Sequence, residues 1–136
     1  MNIDKFKHQH IDILSAIADL RRLVQEGIST HASEIARRIV SMSSIIRLHL
    51  AVEDRVLYPA LEASGNRAMA GMGQKYRDEM EGIAGSYLDF ASKWNTPRIL
   101  VSEPETFRAE ANQVLKALYE RMKREDHEFY PAIEAI

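Results

Sequence analysis

Glu53-Asp54-Arg55-Val56-Leu57-Tyr58-Pro59-Ala60-Leu61-Glu62-Ala63 returns, at a constant offset, as Glu125-Asp126-His127-Glu128-Phe129-Tyr130-Pro131-Ala132-Ile133-Glu134-Ala135. The two stretches share Glu-Asp, Tyr-Pro-Ala, an aliphatic residue and Glu-Ala, so the chain contains two versions of one element. Each closes a longer segment with apolar residues at helical spacing. The earlier segment begins near Ser33, where Ser-Glu-Ile can cap an N-terminus, and carries Ile35, Ile39, Met42, Ile46, His49, Glu53, Val56 and Ala60 on one face. The later one shows Phe107, Ala111, Leu115, Leu118, Met122, Glu125, Phe129 and Ile133. A proline late in a helix removes a backbone donor, so both helices are expected to change course near Pro59 and Pro131.

Two further helices complete the pattern. The first runs from about Asp4 to Gln25, with Phe6, His10, Ile13, Leu14, Ile17, Leu20 and Val24 on one face, and ends at Gly27, a residue suited to a left-handed turn. The third follows the break at Ser64-Gly65-Asn66 and presents Met69, Met72, Tyr76, Met80, Ile83, Tyr87, Phe90 and Trp94, a stripe wholly apolar or aromatic. Asn95 to Pro104 reads as a loop, with Ser102 and Glu105 as a capping pair for the last helix. Short connections force antiparallel neighbours, so the expected fold is all-α, an antiparallel up-down-up-down four-helix bundle forming one domain over 1–136.

Composition narrows the function. Hydrophobic residues make up 46% of the 136, enough to close one continuous core, and the scarcity of Gly and Pro favours helix. Basic and acidic residues are interspersed and the formal charge is -2, which leaves no basic footprint for nucleic acid. No apolar run approaches the ~18 residues of a membrane span, and the start, MNIDKFKHQHIDIL, lacks the apolar stretch of a secretory signal, so a cytoplasmic protein is expected. Without cysteine, any metal must be held by histidine and carboxylate.

His49 and Glu53 lie four residues apart and project from one helix face in successive turns. Such a pair alone is more often a solvated contact than a ligand set. Position gives it weight, because His10, His49, Glu53 and Glu125 each interrupt an otherwise apolar stripe, on three different helices. Burying carboxylates beside imidazoles costs several kcal/mol unless a cation or strong hydrogen bonds compensate. These four residues are the candidate metal ligands. His8 falls off the stripe, and His31 and His127 read as solvated. Tyr58 and Tyr130 read as packing at the bundle's end, with hydroxyls reaching water or a backbone carbonyl.

These features together resemble a known family. Gln9 to Leu14 on helix one, His49-x-x-x-Glu53 followed by Leu57-Tyr58-Pro59, and Glu125 followed by Phe129-Tyr130-Pro131 are similar to the hemerythrin-like, or HHE cation-binding, domain over essentially the whole chain. The resemblance implies a helical bundle holding two non-haem irons, with ligands matched here by His10, His49, Glu53 and Glu125. It fails at two positions: the helix-three histidine corresponds to about Met80, and the helix-four histidine to Arg121. The resemblance thus implies a complete ligand set for one iron and no nitrogen ligands for the second.

Three outcomes stay open at this point. A single iron, or another divalent ion suited to imidazole and carboxylate, occupies the surviving half-site; or Glu79 or Glu81 with a spare histidine completes a rearranged pair; or no metal binds and Arg121 neutralises both Glu53 and Glu125 by bidentate pairing. The resemblance implies a protein that binds O2, NO, peroxide or iron, for sensing, storage or repair of metal centres, rather than an enzyme. Nucleic acid and membrane are not expected partners, and a homodimer is left open. The rival reading is a metal-free bundle, closed by Arg121 and Met80, serving as an interaction or structural module.

Overall fold

A computed structural model describes residues 1–136, all of them within one helical bundle. The rods are α1 (Asp4–Glu26), α2 (Ala32–Val52) continued by α3 (Tyr58–Ala63), α4 (Arg67–Lys93), and α6 (Pro104–Arg124) continued by α7 (Tyr130–Glu134). A short helix, α5 (Pro97–Ser102), joins α4 to α6. Neighbouring rods run antiparallel, as three pairings show: Asp19 meets Arg38, Lys93 meets Glu110, and Lys7 meets Glu134. Helix α1 packs against both α2 and α6, and α4 against both α3 and α6, so the ring closes as an up-down-up-down bundle.

The terminal residues explain most helix boundaries. Gly27, with φ 137°, ends α1 in a conformation that side-chain-bearing residues avoid, while its N–H donates to Leu23 O. Asn66 Oδ1 accepts from Met69 N–H at 3.1 Å and opens α4. Three expectations need correction. Helix α2 starts at Ala32 without a side-chain cap, so Ser33 is already inside it. The stretch from Asn95 to Pro104 is not a plain loop, because Pro97 at the first turn starts α5. Ser102 does not pair with Glu105; its hydroxyl donates to Ile99 O at 3.1 Å, and Pro104 opens α6 without a side-chain cap.

The internal repeat has a specific backbone consequence. Glu53–Leu57 and Glu125–Phe129 are π-helical, so each turn holds one extra residue. Tyr58 N–H donates to Glu53 O and Tyr130 N–H to Glu125 O, five residues back in each case. The wide turn lies directly before Pro59 and Pro131, where a regular α-helix would need the missing donor and meet the ring. It also moves the buried face on by one residue. Leu57, Tyr58 and Leu61 point inward, whereas Val56, expected on the stripe, is 52% exposed and Ala60 only half-buried. In the last rod, Phe129, Tyr130 and Ile133 are all buried.

The interior is divided into two apolar clusters. The larger holds Ile13, Ile17 and Leu20 of α1 together with Met42, Ile46, Met80 and Met122; the smaller holds Phe6, Leu57, Tyr58, Tyr76, Phe129 and Tyr130. On each contributing rod a polar residue falls at the boundary: His10 on α1, His49 and Glu53 at the end of α2, Glu125 at the end of α6. On α4 the boundary passes between Tyr76 and Met80, and there Arg121 reaches across from α6.

Candidate metal centre

His10, His49, Glu53 and Glu125 each offer a ligand atom, and these four atoms lie within 4.8 Å of one another. All four residues are at most 1% exposed. The placement follows from local structure, since His49 and Glu53 are one α-turn apart, and Glu53 and Glu125 occupy equivalent first positions of the two π turns.

The imidazoles are oriented from outside the cluster. His10 Nδ1 lies 2.8 Å from Asp126 Oδ1, and His49 Nδ1 lies 2.7 Å from Gln9 Oε1. Both outer partners accept, so each Nδ1 carries the proton and each Nε2 is aimed inward. The two Nε2 atoms are 3.2 Å apart, with Glu125 Oε1 2.9 Å from His10 Nε2 and Glu53 Oε1 3.3 Å from His49 Nε2. With both Nε2 atoms unprotonated, Glu53 Oε1 and Glu125 Oε1 are left without a hydrogen-bond donor. One proton decides the role of His10: doubly protonated, it donates from Nε2 to Glu125; singly protonated, it presents a lone pair there, the form in which imidazole binds a cation.

Burial in the layer favours the neutral form of His49. Burial, and then the proximity of His10, push His49 down to about 4, so it is unprotonated at neutral pH. Burial and the facing Glu125 carboxylate hold Glu53 well above the usual carboxylate range. Glu125 feels the same burial, but His10 and the Arg121 guanidinium outweigh it and keep its carboxyl below that range. Two inward-facing nitrogens and two carboxyl groups packed this closely in a buried layer leave repulsive contacts that need compensation. A divalent cation resolves all four contacts at once, and imidazole with carboxylate is a donor set that suits iron, zinc and related ions. The residues therefore fit a metal, and the cluster could hold one.

The place where the family resemblance implies a second ion is built differently. Arg121, 3% exposed, donates from Nε to Glu125 Oε2 at 2.9 Å, from Nη1 to Glu79 Oε2 at 3.3 Å, and from Nη2 to the Tyr76 carbonyl. Its guanidinium also lies over the Tyr76 ring, 4.5 Å from the centroid. The expectation that Arg121 bridges both carboxylates is corrected: it reaches Glu125 alone, because its fork is taken by Glu79 and the α4 backbone. Glu79 is shared with Arg124 at 2.9 Å, Glu81 is exposed, and Met80 is 1% exposed within the larger apolar cluster. None of them joins the four donors, and His8 and His127 are exposed. His31 stands at the start of α2 beside Glu26 and Glu34.

Sequence reasoning passed over three residues of this site. Gln9 and Asp126 are each the chain neighbour of a ligand, a weak signal, since only the bundle's register decides which imidazole they meet. Tyr130 does not sit at the bundle's end facing water. Its hydroxyl is 2.9 Å from His10 Nε2 and 3.4 Å from Glu53 Oε2, and the repeated Tyr-Pro after each carboxylate was the available clue.

Comparison with family models matches the hemerythrin HHE cation binding domain over residues 1–133. No curated protein and no solved structure matches the chain.

Proposed function

The chain belongs to the hemerythrin HHE cation-binding domain family, and from that premise we propose that it binds one divalent iron per molecule through His10 Nε2, His49 Nε2, Glu53 and Glu125. The observation that carries this reading is the inward aim of both Nε2 atoms, with each Nδ1 tied to an outer acceptor, beside one carboxylate oxygen each from Glu53 and Glu125. Outer acceptors of this kind fix ring orientation and raise the basicity of the ligating nitrogen. Arg121 supplies a fixed positive charge where a second ion would otherwise offset Glu125, so one ion suffices.

A bound iron supplies a centre that takes up small ligands such as O2 or NO and exchanges electrons. The residues around it serve retention and reception: Arg121 neutralises, Gln9 and Asp126 orient, and the apolar clusters on either side keep bulk water out. Nothing near the cluster forms a nucleophile with an adjacent base, so sensing, storage or metal-centre repair fits better than turnover.

Metal analysis of protein prepared without chelator or metal-affinity steps tests the proposal. The wild type is expected to carry close to one iron, and His49→Ala to carry almost none while far-UV circular dichroism stays nearly unchanged, because apolar burial holds the bundle. A metal-free wild type that resists reconstitution would favour the rival reading, a structural or interaction module, for which the buried Arg121–Glu125 pair is the supporting observation.

A further inference from the structure

An open groove of about 490 Å³ runs between α1 and α6, at the end of the bundle away from the polar layer. Arg21, on its α1 wall, stands about 16 Å along the helix from His10, at ~1.5 Å per residue. The same wall carries Gln25 one turn further on, while α6 contributes Arg108, Asn112 and Lys116, four residues apart and therefore on one face. The Arg21 guanidinium lies over the Tyr119 ring, 5.8 Å from its centroid, which fixes the level at which the two walls meet. Since the helices run antiparallel, Arg21 and Lys116 share one end, Arg108 holds the other, and the two amides fall between. Val24, Ala111 and Leu115 form an apolar floor.

Every polar side chain on the walls is a cation or an amide, and no carboxylate lines them, in a chain whose formal charge is -2. Neighbouring grooves mix their charges: Asp89 and Glu110 stand with Lys93 between α4 and α6, and Asp12 and Asp19 with Arg38 between α1 and α2. Arg21 rests on an aromatic ring rather than on a carboxylate. Arg108 and Lys116 reach only Glu105 at 3.5 Å and Glu120 at 3.9 Å, carboxylates 82% and 64% exposed whose pairing is worth little. Three cations are thus free to meet anions from outside. Their spacing narrows the class, because eight residues separate Arg108 from Lys116, about 12 Å along the axis and beyond the span of one phosphate or carboxylate. An extended chain covers that distance in about four residues, at ~3.3 Å each. Side-chain amides both donate and accept, as a peptide group requires, and the floor suits an aliphatic side chain.

We propose that the α1–α6 groove receives a short acidic segment of a partner protein in extended form, with two carboxylates about four residues apart and an aliphatic residue between them. The site is independent of the metal-binding reading, since none of the four candidate ligands lines it.

The test titrates the whole, isotopically labelled protein with the capped heptapeptide Gly-Glu-Ala-Leu-Ala-Glu-Gly and follows backbone amide shifts by NMR. Saturable binding is expected, with the largest shifts within 21–25 and 108–116. Arg21→Glu and Arg108→Glu should each weaken it about tenfold, because reversal exchanges a modest attraction for a repulsion of similar size. Arg37→Glu makes the same charge change on α2, outside the groove, and should leave affinity within about twofold of wild type. The peptide with glutamine in place of both glutamates should bind at least about tenfold more weakly. No saturable binding by wild type overturns the proposal, and so does equal affinity for the glutamine peptide. If Arg37→Glu weakens binding as much as the groove variants do, the attraction belongs to the overall charge and the groove is not its site. Displacement of the peptide by inorganic phosphate at equal concentration also overturns it, because the groove would then take any anion. Should Arg21→Glu fail to fold, Arg108→Glu decides alone, since its side chain is 42% exposed and its one carboxylate partner is at the surface.

Discussion

Each imidazole in the cluster is oriented through the ring nitrogen that points away from the other donors. Asp126 gives His10 an anionic outer partner, whereas Gln9 gives His49 a neutral one. Asp126→Asn removes that charge while keeping an acceptor, so metal affinity should fall roughly 10- to 100-fold with little change in stability. Competition against a chromophoric chelator measures the shift; unchanged affinity would mean that Asp126 is only a rim residue. Glu53 sets the pH response. Its carboxyl is raised by burial and by Glu125, so in the metal-free protein it holds its proton above the ordinary carboxylate range. Metal requires the ionised form, hence affinity should climb as pH rises through that raised value and fall as pH drops below it. His49, already neutral above about 4, adds nothing in that window. Binding titrations at a series of pH values should show a flatter slope for Glu53→Gln than for wild type.

At the scale of the element, the two π turns decide which side chains are core. A regular helix through Glu53 places Val56 inward, but the extra residue in Glu53–Leu57 turns Val56 out and brings Leu57 and Tyr58 in together. Val56→Ala should therefore change stability by less than about 0.5 kcal/mol, whereas Leu57→Ala should cost about 2–5 kcal/mol through the cavity it leaves. Urea unfolding of the two variants reads this directly, and a reversed ranking would place a plain α-turn there. The same wide turn brings Glu53 and Glu125 to one level and accommodates Pro59 and Pro131 beyond them, so the proline and the ligand belong to one local design.

Over the whole molecule, the polar layer separates two apolar clusters, and its charges have to be matched for the bundle to close around them. Arg121 is the only fixed cation in that layer, at 3% exposure. Arg121→Ala leaves Glu125 buried with one partner fewer and should destabilise the metal-free protein by about 3–5 kcal/mol. The loss should be largely recovered on adding metal, since an ion that binds only the folded form stabilises it in proportion to its affinity. Thermal unfolding with and without metal compares the two conditions. If Arg121→Ala is as stable as wild type without metal, the guanidinium contributes no net neutralisation, and the account of how one ion suffices is wrong.

Helical class, the order of the rods and the four candidate ligands were all legible in the residues, because a period near 3.6 is local and a histidine or glutamate on an apolar stripe stands out against it. The repeat even marked where the helices depart from regularity. What it could not specify was the form of that departure: a kink and a π turn both answer a late proline, and only packing against the other rods selects the one that brings Leu57 and Tyr58 inward together. The same limit applies to the site. Which oxygen meets which imidazole depends on contacts between residues far apart in the chain, Asp126 with His10, Gln9 with His49, Arg121 with Glu79, and these follow from the register of whole helices. Tyr130 looked like a packing residue for that reason. Its hydroxyl becomes part of the polar layer only when the last rod is docked on the first two, where no local pattern of residues reaches.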